Sequence, residues 1–295
     1  MADLASLETF VTAVRAGSFA EAARRLGLSP AMVGRRIQAL EDRHGARLIE
    51  RTTRAQRLTE LGESFFVQAE AVLEAAAELE ELTRSEPGRL RGRIRLSGPT
   101  TLGIKRLAPI VAAFCSANPE VTVEMALSDR RVDLVAEGFD LAVRVGELQP
   151  SGLVARRVGT YRFAVCAAPS YLSAHAAPRT PDELQHARCI LNLNITPRNQ
   201  WPFIGPGGGT VTAQAEGGLQ IDNGEALRTA TLSGAGIAYL PVDLVDEDIA
   251  AGTIVPILTH WQTITLPIHT VHPTRRLVPR RVTALVEAIA AGLKQ

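Results

Sequence analysis

The chain has 295 residues, of which 46% are apolar and 21% charged, with a formal net charge of +1. That composition excludes a disordered chain, and a length well above the roughly 150 residues of one domain predicts two or three folded units. The near-neutral total hides an uneven distribution. Residues 1–62 hold ten arginines against seven acidic groups, net +3, while residues 63–86 hold one arginine against seven glutamates, net −6. A basic head followed by an acidic connector points to a nucleic-acid partner for the head alone.

Residues 1–10 lack the basic and apolar regions of a secretion signal, and no apolar run reaches the roughly 20 residues of a membrane helix. A cytoplasmic protein without membrane attachment is expected. Cys115, Cys166 and Cys189 are widely spaced and contain no CxxC. They read as buried, reduced thiols, with a redox pair of Cys166 and Cys189 as the alternative.

In chain order, Leu4, Leu7, Phe10, Val11 and Val14 recur at helical spacing and stop at Gly17. Ser18 and Glu21 form a capping box for a second helix, which Gly27 ends. Ser29 caps a third, with Pro30 in the first helical position, where its missing N–H costs nothing. Val33, Ile37 and Leu40 form its buried stripe, leaving Ala31, Gly34, Arg35, Arg36 and Gln38 opposite. Small residues let such a helix approach a groove, and the arginines suit guanine edges or phosphates. A generic surface helix would show the same solvated arginines, so the next segment matters. Residues 48–49 and 56–58 read as two short strands around Arg51, Thr52 and Arg54, more cations than a structural hairpin needs.

The stretch FAEAARRLGLSPAMVGRRIQALEDRHGARLIERTTRAQRLTELG, residues 19–62, resembles the winged helix-turn-helix of LysR-type transcriptional regulators. Both the LxxSPxxVxRxIxxLE core and the LIERTTRxxxLTxxG run are present. The family often carries Ser or Thr where this chain has Gly34. The resemblance implies double-stranded DNA as partner, with Ser29, Pro30, Ala31, Gly34, Arg35, Arg36 and Gln38 in the major groove and Arg51, Thr52 and Arg54 on its flank.

Residues 63–83 contain neither Gly nor Pro and predict one long helix. Phe65, Val72 and Leu79 fall seven apart, with Gln68, Ala75 and Leu82 interleaved, so a heptad seam can pair with a second helix. Packing on its own domain is the alternative. In the family resembled, this helix mediates dimerisation, so a homodimer or dimer of dimers is implied. Residues 85–88 then mark a hinge.

From residue 91 strands and helices alternate, predicting an α/β architecture. Strands are expected at 93–97, 121–127, 141–145, 162–166, 189–193, 211–215, 218–221, 237–240 and 267–271. Helices are expected from the Gly98–Thr101 turn toward Ala117, at 130–137, after Asn223 and at 279–293. The segments DLAVRVGEL, YRFAVCAAPSYL, LSGAGIAYLP and TVHPTRRLVPRRVTALVEAI resemble the effector domain of the same regulators, a fold shared with type 2 periplasmic binding proteins. The expected fold class is therefore multidomain. A winged helix-turn-helix spans 1–62, a linker helix and hinge 63–88, and a two-lobe α/β effector domain 89–295. Lobe 1 covers about 89–160 and 267–295, and lobe 2 about 161–266.

A small-molecule effector is expected in the cleft between lobes. Ser97, Pro99, Thr100 and Thr101 in one lobe and Asn223 in the other sit at helix starts, which attract anions. Ser128, Arg144 and Gly146 follow strand ends at the same crevice. Simple helix capping explains Ser97 and Thr100 equally well. Arg144, in an otherwise apolar strand, needs a partner, whether Glu147, Asp129 or an anionic ligand. The run Gly205–Gly209 lacks the pattern and lysine of a phosphate loop. His260, His269 and His272 lack metal-ligand spacing, and residues 231–236 lack GxSxG, so no cofactor, metal or catalytic function is expected.

Overall fold

The computed structural model describes residues 3–51, 56–83, 89–130, 132–273 and 278–294. It divides into two compact units, Met1–Gly88 with Ala136–Gly138, and Arg89–Val135 with Phe139–Gln295.

The first unit opens with helices α1 (Leu4–Ala16), α2 (Phe19–Leu26) and α3 (Pro30–His44). Each start is capped by a side chain: Asp3, Ser18 and Ser29 accept from the N–H groups of Ser6, Glu21 and Met32 at 2.7, 3.1 and 3.2 Å. The capping box at Ser18 is only half made, because the Glu21 carboxylate pairs with Arg24 and Arg25. Strands β1 (Ile49–Arg51) and β2 (Gln56–Leu58) form an antiparallel hairpin with Glu50 opposite Arg57, and α4 (Glu60–Thr83) follows. Phe10, Val33, Ile37, Leu40, Leu48 and Ile49 make the core between these elements.

Two side chains lock the hairpin to the helices. Glu41 is 4% exposed, and its carboxylate accepts from the N–H groups of Leu48 and Ile49 at 2.8 and 3.0 Å. Thr59 accepts from Gly62 N–H at 2.9 Å and donates to the Arg47 carbonyl oxygen at 2.8 Å. A Cβ on Gly62 would stand 2.0 Å from the Leu48 carbonyl oxygen. The LTxxG pattern therefore has a physical meaning: a cap, and a glycine where helix meets strand.

The connector packs one face on its own domain and leaves another exposed. Phe65, Phe66, Ala69 and Leu73 pack on the head, Phe65 edge-on to Phe10 at 5.5 Å. Leu61 and Val72 stand 53% and 47% exposed, and Gln68 and Ala75 are also exposed. Phe65 is thus withdrawn from the expected seam by its own domain. The side chains of Leu79 and Leu82 lie outside the described residues.

The second unit begins with β3 (Gly92–Gly98), the short helix α5 (Thr100–Leu102), a π turn at Gly103–Leu107, and α6 (Ala108–Ala117). The π turn precedes Pro109, which has no N–H to bond the carbonyl four residues back. Next come β4 (Val121–Leu127), β5 (Leu141–Val145) and the long β6 (Leu153–Ala167). Helix α7 (Pro169–Ala174) leads to β7 (Cys189–Asn192), β8 (Gln200–Ile204), β9 (Thr210–Gln214) and β10 (Leu219–Ile221). The chain closes with α8 (Gly224–Leu232), β11 (Ile237–Pro241), α9 (Val242–Ala251), β12 (Val255–Pro256), β13 (Gln262–Thr263), β14 (Thr265–Pro273) and α10 (Arg280–Gly292).

One mixed sheet runs β10-β7-β11-β6-β14-β5-β3-β4, with β12 also on β6. Its spine is β6 against β14, antiparallel from Leu153–Pro273 to Arg162–Thr265, and β6 continues along β11. Parallel strands flank this spine on both sides, β3, β4 and β5 on one and β7 and β10 on the other.

Two expectations need correction, and some elements were not expected at all. Residues 130–137 form no described helix; Asp133 accepts from Val135 N–H at 3.0 Å and Phe139 N–H closes onto the Leu134 carbonyl at 2.8 Å, making a turn instead. The strand expected at 162–166 is the end of a 15-residue strand, whose first half alternates weakly because most of it is exposed. Strand β8 and helix α9 escaped the sequence reading, although Trp201 and Phe203 of β8 are fully buried.

The cysteines do not form a pair. Cys166 lies opposite Ala238 and Cys189 opposite Ile237, consecutive residues of β11 whose side chains point to opposite faces. Burial pushes both thiols up to about 12, which keeps them protonated and unreactive.

Candidate functional site

In the first unit, the outward face of α3 carries Ala31, Met32, Arg35, Gln38, Ala39 and Asp42, all exposed. Ser29 and Pro30 are exposed at its start. Gln38 Nε2 donates to Asp42 Oδ1 at 2.8 Å, which stiffens one end of the face. Gly34 and Arg36, expected among these residues, are turned aside. A Cβ on Gly34 would meet the Phe19 ring at 3.8 Å, and Arg36 Nη1 donates to Thr9 Oγ1 of α1 at 3.2 Å. Arg35 is the exposed arginine of the first half of α3, and Arg43 is exposed near its end. Of the hairpin, Arg51 lies in β1 without a described side chain, while Thr52 and Arg54 fall outside the described residues.

In the second unit, a cavity of about 280 Å³ opens where the parallel strands end. Such ends are where open α/β sheets hold ligands. Ser97, Gly98, Pro99 and Thr101 come from the end of β3 and the turn beyond it, and Ser128, Asp129 and Arg130 from the end of β4. Val143, Arg144 and Val145 of β5 line one wall. The far wall is built by Asn192, Asn194, Gly224 and Pro241. Its apolar side is Tyr161 and Phe163, edge-to-face at 5.4 Å, together with Leu266. Burial, reinforced by the Asp243 and Asp129 carboxylates, raises the Tyr161 hydroxyl above its usual range, so it stays a neutral donor. Gly224 is required where α8 meets the first half, since a Cβ there would stand 2.3 Å from Thr101 Oγ1.

The expected effector residues divide accordingly. Ser97, Pro99, Thr101, Ser128 and Arg144 line the cavity; Thr100, Gly146 and Asn223 do not. Thr100 N–H donates to Asp129 Oδ1 at 2.9 Å, so the chain's own carboxylate occupies that helix start. Asn223 caps its own helix, accepting from Ala226 N–H at 3.0 Å. Gly146 N–H donates to the Pro267 carbonyl oxygen at 2.9 Å, inside the sheet. The anion-attracting groups of the cavity are therefore the side chains of Arg130 and Arg144 rather than helix ends. Arg144 is half-buried, and its Nη2 donates to the Val132 carbonyl oxygen at 2.9 Å.

Sequence reading missed Tyr161, Phe163, Asn192 and Asn194. The alternation Tyr161–Phe163 within a strand was the available signal; Asn192, at the end of β7, and Asn194, in the turn after it, gave none. Among the described residues no cluster of His, Cys, Asp and Glu could hold a metal, and no helix is long and apolar enough to cross a membrane.

Comparison with known proteins matches both units. Residues 4–63 fit the family of bacterial regulatory helix-turn-helix proteins of the lysR family, and residues 87–294 fit the LysR substrate binding domain. The HTH-type transcriptional regulator CrgA of Neisseria meningitidis serogroup C is 33% identical over 97% of this chain and 96% of its own length. PtxR of Pseudomonas aeruginosa is 33% identical over 99% of this chain and 93% of its own. Among solved structures, CrgA from Neisseria meningitidis superposes with a TM-score of 0.63 at 32% identity, covering 99% of both chains. The full-length virulence activator AphB of Vibrio cholerae gives 0.62 at 29% identity, over 98% of this chain and 99% of that one. A helix with an outward arginine, a hairpin in the same unit and a strand-end cavity in a mixed sheet thus occur in one chain, which belongs to the LysR family of transcriptional regulators.

Proposed function

We propose that this regulator reads double-stranded DNA with the Ser29–Gln38 segment of α3, Arg35 bonding base edges or phosphates and the hairpin arginines Arg51 and Arg54 holding the flank. The observation that carries this reading is the outward face of α3, where Arg35 projects while Arg36 is engaged with Thr9. On that basis residues 1–62 form the DNA-binding unit, 63–88 the linker helix and hinge, and 89–295 the effector-binding unit, with lobes of about 89–160 plus 267–295 and 161–266. The protein acts in the cytoplasm as a homodimer or dimer of dimers. A gel-shift titration across salt tests the first claim: log affinity falls linearly with log salt, and Arg35→Ala weakens binding by about 1–3 kcal/mol while Arg36→Ala costs less. A flat salt response refutes it.

The effector is a small molecule with an acidic head and an apolar body, bound in the strand-end cavity. Its volume of about 280 Å³ lies at the lower end of ligand pockets. Arg144 and Arg130 face the head, and Tyr161 and Phe163 the body. Such a ligand acts as a switch by binding one arrangement of the two halves more tightly than another. A melting-temperature screen of the full chain against small carboxylates identifies it, because binding only the folded form raises stability. Calorimetry with the hit then shows at least tenfold weaker affinity for Arg144→Ala; unchanged affinity refutes the anionic assignment.

A further inference from the structure

The outward face of α3 is chemically divided. Arg35, Gln38 and Asp42 carry hydrogen-bonding groups, and Gln38 is already bonded to Asp42. Ala31, Met32 and Ala39 carry none. At the start of the helix, which is the part that meets base edges in helix-turn-helix docking, the outward side chains are Pro30, Ala31, Met32 and Arg35. Met32 is the one large apolar group among them and is 41% exposed. A single exposed apolar side chain elsewhere on a surface would carry no meaning. Here it stands three residues before the outward arginine, and its backbone N–H is fixed by the Ser29 cap at 3.2 Å.

The major groove offers one apolar feature to such a side chain, the C5-methyl group of thymine; the other base edges present donors and acceptors. A methionine on a helix surface is long, unbranched and polarizable, so it can follow that methyl without a fixed geometry. We propose that Met32 is a specificity-determining residue that reads a thymine methyl beside the base contacted by Arg35. The proposal rests on the reading of α3 as the DNA-facing helix. It implies that each half-site pairs a hydrogen-bonded position, chosen by Arg35, with a thymine chosen by apolar contact alone.

The test selects a randomised double-stranded library with the full-length protein and with Met32→Ala and Met32→Leu, after melting temperatures have shown that all three fold alike. The wild type and Met32→Leu enrich a thymine at one position of each half-site, whereas Met32→Ala loses that preference and keeps the neighbouring one. Deoxyuridine in place of that thymine, which removes only the methyl, weakens wild-type binding by about fourfold per half-site, the value of one buried methylene-sized group. It leaves Met32→Ala unchanged. Equal thymine preference in wild type and Met32→Ala, or an equal deoxyuridine penalty for both, overturns the proposal. A wild-type library with no enriched sequence overturns the DNA-facing reading itself.

Discussion

Glu41 ties the chain entering the hairpin to α3. Its carboxylate is buried and satisfies two N–H groups, those of Leu48 and Ile49, where the chain enters β1. Hydrogen bonds to a charged acceptor contribute about 1.5–3 kcal/mol each, and removing the acceptor strands both donors. Glu41→Ala is therefore expected to destabilise the first unit by about 3 kcal/mol, seen as a lower urea midpoint, while Glu50→Ala on the exposed hairpin surface changes little. Equal midpoints would show that the hairpin docks without it. The sequence identified position 41 through the family motif, yet assigned it no role, because a glutamate in a helix reads as solvated until the chain folds back on it. The same limit explains Arg35 and Arg36. Helical spacing places both near one face, and only the contact with Thr9 separates them.

Asp248 offers a second residue-scale test. It is 7% exposed, and its carboxylate accepts from the Arg228 guanidinium through Nη2 at 2.7 Å and through Nε. Those bonds, with the Arg228 charge behind them, hold its pKa below the ordinary value of 3.8. A lowered folded value means stability that is present above the unfolded value and lost as pH falls through the folded one. Asp248→Asn should cost about 2 kcal/mol at neutral pH, and the gap in melting temperature from wild type should close in acid. A gap independent of pH would refute the charged pairing.

At the scale of elements, α4 divides its faces between two tasks. Phe65, Phe66, Ala69 and Leu73 belong to the head core, and Leu61, Gln68, Val72 and Ala75 remain outward. Exposed apolar residues at heptad spacing suit a second copy of the helix. Val72→Glu should convert the dimer to monomer in size-exclusion chromatography with light scattering, with the melting of the head shifted by less than about 0.5 kcal/mol. A dimer of unchanged stability would place the interface elsewhere. Periodicity alone registered the seam but put Phe65 on it, since spacing does not say which neighbour a side chain meets first.

At the scale of the molecule, the boundary between determination by sequence and by fold follows the range of the forces involved. Caps, helix stops, the wing hairpin and the heptad spacing are local, and the amino-acid order settled them. The motif runs were dense enough to identify the family, with the whole two-part plan that follows from it. Long-range pairing decided the rest. The continuous sheet joined through β6 and β14, the placement of Cys166 and Cys189 on opposite faces and the aromatic wall at Tyr161 and Phe163 all depend on register between distant segments. Most tellingly, the helix start at Thr100 was legible as an anion site, and the group its N–H meets is the carboxylate of Asp129 in the same chain, 29 residues away. Sequence states which groups can attract a charge; only tertiary structure states which of them have already found one.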